Sequence, residues 1–187
     1  MDDCVRLAHE AGTIITRDLS IPVYFYERAA LRDDRVNLED VRRGATSSEY
    51  APDLSPTHIH ESAGAIVVGA RPFLIAFNVI LRSDDITVAR QIARTIRARN
   101  GGLPFVKALG FRLHTRGLVQ VSMNLVNYEV TGMTAVYNAI QREADLLNIE
   151  IDSTEIVGLV PQGAVDPNAD FPVTKILEHQ IGLCQSV

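Results

Sequence analysis

His58 and His60 stand one residue apart in the segment Ala51-Pro52-Asp53-Leu54-Ser55-Pro56-Thr57-His58-Ile59-His60-Glu61-Ser62-Ala63-Gly64-Ala65. Imidazole nitrogens bind metals and carry protons near neutral pH, so the pair could serve either chemistry. No third ligand follows at metal-binding spacing, and an isolated His-x-His is more commonly part of an ordinary surface loop. Gly64, Gly69 and their small neighbours would let a flat ligand approach the backbone. They match no phosphate-loop pattern, and tight turns before a strand account for them equally.

Two further sets could carry binding chemistry. Arg90, Arg94 and Arg97 fall at i, i+4 and i+7 and predict a basic stripe along one helix. Such a stripe holds an anion or simply faces solvent, the second being commoner. Asn78, Ser122 and Asn124 fall at the minority positions of two otherwise apolar strands. Side chains alternate faces along a strand, so Val119, Val121, Met123 and Leu125 share one face, and Ser122 and Asn124 the other with Gln120. Likewise Phe73, Ile75, Phe77, Val79 and Leu81 form the apolar set of the earlier strand, leaving Asn78 with Leu74 and Ala76. Polar side chains in the middle of a sheet face need partners. Either a planar heterocycle with amide edges or a wet interface with another part of the chain would supply them.

The elements that position these residues follow from periodicity. Residues 2 to 18 read as an amphipathic helix with an acidic start, and Ile21 to Tyr26 as a strand. Residues 28 to 44 read as helical pieces ending at Gly44, and Ala45 to Pro56 as a polar connector, which places a subdomain boundary there, between 1–50 and 51–187. From Phe73 the order is strand to Leu81, a helix capped by Ser83-Asp84-Asp85, strand Val106 to Thr115, a turn at Arg116-Gly117, strand Leu118 to Val126, a helix after Thr131, and a strand within Ile149 to Val160. This β-α-β-β-α-β order predicts a ferredoxin-like α+β subdomain with both helices on one sheet face and the strands at Phe73 and Leu118 as central neighbours. Lys175 to Glu178 reads as the start of a terminal helix. A chain that opens with a helix and then a strand fits the remnant of another α/β subdomain. Unpaired, Ile21 to Tyr26 would be an apolar edge prone to association.

Composition bounds the function classes. The 187 residues are 47% hydrophobic and 22% charged, with net charge -5, which suits a packed globular chain and argues against general nucleic-acid or anionic-membrane binding. Only Lys107 and Lys175 are lysines, the remaining basic residues being arginine. The two cysteines, Cys4 and Cys184, lie near opposite ends without metal-ligand spacing, and no signal peptide or membrane span is read, so a reduced cytoplasmic setting is expected.

Several stretches together resemble the glutamate formiminotransferase family, folate-dependent enzymes of histidine breakdown. They are Pro22 to Tyr26, Ala51-Pro52-Asp53, Ala63-Gly64-Ala65, Val68 to Arg71, Phe73 to Asn78, Val119 to Leu125 and Glu155 to Pro161. The resemblance implies two α+β subdomains, dimers, and tetrahydrofolate as co-substrate. It places the folate-contacting loop on Ser55, Pro56, Thr57, His58, Ile59, His60, Glu61, Ser62, Ala63 and Gly64, where Ser55 stands for an expected glycine and Glu61 for an expected proline. With it go Asn78, Ser122 and Asn124 as folate-binding candidates. The implied reaction moves a formimino group from N-formimino-L-glutamate to N5 of tetrahydrofolate. The family also has a preceding segment with an acid-base histidine, which has no counterpart here, so no residue of this chain is assigned as the proton carrier. The alternatives that stay open are one subunit of a split enzyme whose partner carries that segment, a truncated product or fragment, a non-catalytic folate-binding module, a ferredoxin-like small-molecule or oligomerisation module, and a chain in which His60 has taken over proton transfer.

Overall fold

A computed structural model describes residues 1–45, 50–55, 60–169, 171 and 175–185. It is a mixed α/β chain with two sheets, of the α+β class, and divides into two units, Met1–Pro72 and Phe73–Val187.

In the first unit, helix α1 (Asp2–Leu19) has Asp2 and Asp3 in its first turn and Arg17 in its last, the arrangement the helix dipole favours, and ends at Ser20 in the left-handed conformation. It lies on strand β1 (Val23–Glu27) where Gly12 has no side chain; a Cβ there would sit 2.6 Å from the Phe25 ring. After a 3-10 turn (Asp33–Arg35) and helix α2 (Leu38–Gly44), strand β2 (Ile66–Ala70) returns to pair with β1 in parallel, Val23 opposite Ile66 and Glu27 opposite Ala70. Ala8, Val23, Phe25, Ala29 and Ala70 form the core of this unit.

The backbone bonds decide which edge of this sheet is open. Val23 N donates to Leu54 O, Glu27 N to Val36 O, and Phe25 N to the Asp53 carboxylate, so the far edge of β1 is closed. Ile21 to Tyr26 is therefore not the exposed edge expected from sequence. Among the described residues the open edge is that of β2, whose Ile66 and Ala70 backbones face β1 and whose Val67 and Gly69 backbones face away. β2 also moves the division of the chain: residues after 50 return to the first sheet, so the boundary falls at Pro72 and not at the expected 50/51 connector.

The second unit runs β3 (Ile75–Leu81), α3 (Ile86–Ile96), β4 (Val106–Leu113), β5 (Leu118–Leu125), α4 (Met133–Leu146), β6 (Ile151–Val157) and α5 (Leu177–Gln185). The sheet order is β4-β5-β3-β6 with all neighbours antiparallel, so β3 and β5 are central. Asp85 caps α3, its carboxylate accepting from Thr87 N at 2.8 Å. Ile75, Phe77, Val79 and Leu81 of β3 and Val119, Val121, Met123 and Leu125 of β5 pack with Ala89, Ile92 and Ile96 of α3 and Val136 and Ile140 of α4. Gly110 on β4 admits α3 closely: a Cβ there would lie 2.6 Å from Arg90 N. Phe73, expected on the apolar face of β3, precedes the strand and is 58% exposed.

Candidate functional site

The sheet face opposite α3 and α4 is built by register. Leu109 of β4 stands opposite Ser122 of β5, Ser122 opposite Asn78 of β3, and Asn78 opposite Glu155 of β6. One row across all four strands thus holds three polar side chains in succession. The row on one side is Lys107, Asn124, Ala76 and Val157; that on the other is Phe111, Gln120, Ile80 and Ser153. Asn78 and Ser122 are direct cross-strand neighbours, while Asn124 is exposed and lies one row over.

Asn78 is only 7% exposed and does have a partner: its Nδ2 donates to Glu155 Oε2 at 2.9 Å. Burial of an amide on this face is thus compensated by a carboxylate reached across 77 positions of chain. Sequence reasoning did not pick out Glu155, nor Lys107, Leu109 and Phe111 on the same face. Leu109, Phe111 and Val157 are 57%, 47% and 53% exposed, so the polar row is flanked by accessible apolar side chains.

In the first unit, His60 and Gly64 close a tight turn by exchanging backbone bonds, His60 N to Gly64 O at 3.0 Å and Gly64 N to His60 O at 2.8 Å, with Gly64 at φ 68°. Only glycine takes that φ readily. Inside the turn the His60 ring accepts at Nδ1 from Ala63 N (3.1 Å) and Ser62 N (3.3 Å), which assigns the proton of the neutral ring to Nε2. Glu61, Ser62 and Ala63 are exposed, as is Ser55. Pro56, Thr57, His58 and Ile59 lie outside the described residues. Among the described residues no three His, Cys, Asp or Glu side chains gather as a metal site.

What leads into this segment is tied down. Asp53 pairs with Arg35, Nη1 to Oδ1 2.5 Å, and Arg35 Nη2 donates to Ala51 O at 2.6 Å. The guanidinium lies over the Tyr50 ring at 4.5 Å and the Tyr24 ring at 5.5 Å. Burial pushes the Tyr24 and Tyr50 phenols above their ordinary range. The arginine stripe is shorter than expected. Arg90 and Arg94 are exposed on α3, whereas Arg97 is its extended C-cap and donates through Nε to Asn100.

Among the described residues no helix is long and apolar enough to cross a membrane. The profile of the formiminotransferase domain matches residues 76–182, and that of its N-terminal subdomain matches residues 1–71. The chain is 40% identical over 175 residues to a protein of Thermoplasma acidophilum named glutamate formimidoyltransferase, covering 88% of this chain and 57% of that one. A protein of the same name from Streptococcus pyogenes is 37% identical over 177 residues, 90% of this chain and 59% of its own length. The formimidoyltransferase-cyclodeaminase of Rattus norvegicus is 37% identical over 185 residues, 91% of this chain and 34% of its own. The chain thus spans less than two thirds of the length of these relatives. With matches over both units and these identities, the chain belongs to the formiminotransferase family.

Proposed function

We propose that this chain is the folate-binding portion of a glutamate formimidoyltransferase, acting in transfer of a formimino group from N-formimino-L-glutamate to N5 of tetrahydrofolate. The observation that carries the reading is the match of both units to the formiminotransferase domain and to relatives bearing that name. The structure adds a sheet face whose central row carries three polar side chains and whose flanking rows include the exposed apolar Phe111 and Val157, a surface suited to a flat heterocycle with hydrogen-bonding edges. The second unit's strand order and one-sided helices support the ferredoxin-like reading.

In such a transfer N5 attacks the amidine carbon, a tetrahedral intermediate forms, and the glutamate nitrogen leaves after gaining a proton. The demand on the protein is placement of two substrates within reach of one another. We assign Asn78, Ser122 and Asn124 of the second unit to folate contacts. By the same reading the chain works as a homodimer.

Calorimetric titration of the purified chain with 5-formyltetrahydrofolate, a stable analogue of the N5-substituted product, tests the reading. Saturable one-site binding supports it, and a folded chain that takes up no ligand overturns it.

A further inference from the structure

Glu155 is exposed on the edge strand β6, yet one of its oxygens is held by Asn78, which is itself almost wholly buried in the adjacent central strand. The Asn78 amide donates to Oε2, and Oε1 has no protein partner among the described residues. A carboxylate offers about four lone-pair sites over its two oxygens, so one bond from Asn78 leaves both oxygens able to accept from a ligand. The carboxyl group is thereby oriented without being used up. Val157, two residues on along β6 and therefore on the same face, is 53% exposed opposite Ala76 and gives an apolar ledge one row from Glu155.

We propose that Glu155 is a specificity-determining residue that reads an amidine edge, two N–H donors flanking one carbon, with Asn78 as its positioning residue. Two oxygens on one planar group match two parallel N–H donors, the geometry that makes carboxylate recognition bidentate. This inference rests on the folate reading above and deepens it. Both participants in the transfer present such an edge: the reduced pteridine at its ring N–H and exocyclic 2-amino group, and N-formimino-L-glutamate at the formimino group itself. An exposed carboxylate on a sheet edge has many uses in solution. One fixed from behind by a buried amide, beside an apolar ledge, is built to select what lies against it.

The test is calorimetry on the full chain with 5-formyltetrahydrofolate and N-formimino-L-glutamate, each titrated separately into the wild type and Glu155→Gln. The substitution keeps shape, removes the charge and turns one acceptor into a donor, at an exposed position where folding is little affected. Affinity for the ligand whose edge is read falls at least tenfold, and affinity for the other is unchanged. If the pteridine is the source, a 2-desamino analogue of 5-formyltetrahydrofolate binds wild type and variant alike. Equal affinities of wild type and Glu155→Gln for both ligands overturn the inference and leave the folate reading standing. Failure of the folded wild type to bind either ligand overturns the folate reading, and this one with it.

Discussion

Arg35 and Asp53 form an ion pair withdrawn from solvent, with side chains 1% and 5% exposed and Nη1 2.5 Å from Oδ1. Asp53 also accepts from Phe25 N through Oδ2 at 2.8 Å, so one carboxylate closes the edge of β1 and neutralises the buried guanidinium. Asp53→Asn leaves Arg35 charged, buried and without its counter-ion. Breaking such a pair costs about 3 to 5 kcal/mol, whereas replacing both members with apolar residues of similar volume is far milder. Urea unfolding should show a large fall in midpoint for Asp53→Asn and a smaller one for Arg35→Met with Asp53→Leu. Equal falls would contradict the account.

Close approach of α3 to β4 rests on Gly110. A Cβ at that position would meet Arg90 N at 2.6 Å and the Ala89 carbonyl carbon at 2.7 Å, backbone atoms that cannot swing aside. Gly110→Ala should destabilise the second unit by about 1 to 3 kcal/mol, as overpacking does. At Gly163 nothing lies within 4 Å of the added carbon, and Gly163→Ala should fall within about 0.5 kcal/mol of wild type. Thermal unfolding of the two variants side by side checks the contrast.

Much of this arrangement is legible in sequence because it is local. The period of two in Val119 to Leu125 and the apolar face of Ile86 to Ile96 place β5 and α3, and both are where periodicity puts them. β2 is not legible, because Ile66-Val67-Val68 merges with the apolar run that continues past Arg71-Pro72 into β3, and composition does not say that the first part returns to β1. Glu155 is hidden for a related reason. Its place beside Asn78 is fixed only by the β3 and β6 register, and a slip of one residue would send it to the helix face. Arg97 reads as the third member of a helical stripe, but the helix has ended by then.

Asn124 offers a probe of the sheet face that leaves the fold alone, being exposed on β5 opposite Ala76. Asn124→Leu keeps the volume and removes the amide. If this face contacts the heterocycle, loss of a hydrogen bond made only in the complex costs about 1 kcal/mol, or roughly fivefold in affinity for 5-formyltetrahydrofolate, with unchanged urea unfolding. An unchanged affinity would remove Asn124 from the site.

Asp166 makes part of the stability dependent on acid. Its Oδ2 accepts from Thr134 Oγ1 at 2.7 Å and its Oδ1 from Asn168 N at 2.9 Å, and these bonds hold the carboxyl below its ordinary range. A folded-state value lower than the unfolded one means that the unfolded chain binds more protons as pH falls. The contribution is therefore complete above the unfolded value of about 3.9 and is lost as pH drops through the lower folded value. Thr134→Val weakens the hold, so its stability should lie below that of wild type near neutrality and approach it as the pH is lowered below about 4. Parallel curves down to that range would show that the Thr134 bond does not favour the ionised form.

The open edge of β2 predicts a difference between neighbouring positions that side-chain chemistry alone would not. Val67 and Gly69 direct their backbone N–H groups away from β1, while by the same alternation the Val68 N–H points inward to Tyr24 O. Ile66 to Ala70 carries no charge and no proline to discourage pairing with another strand. Proline at 67 removes only an outward donor, and proline at 68 removes a bond of the sheet. Val67→Pro should leave the unfolding midpoint close to wild type and lower concentration-dependent association in sedimentation velocity. Val68→Pro should unfold far earlier. Association of Val67→Pro equal to that of the wild type would mean that chains meet through a surface other than this edge.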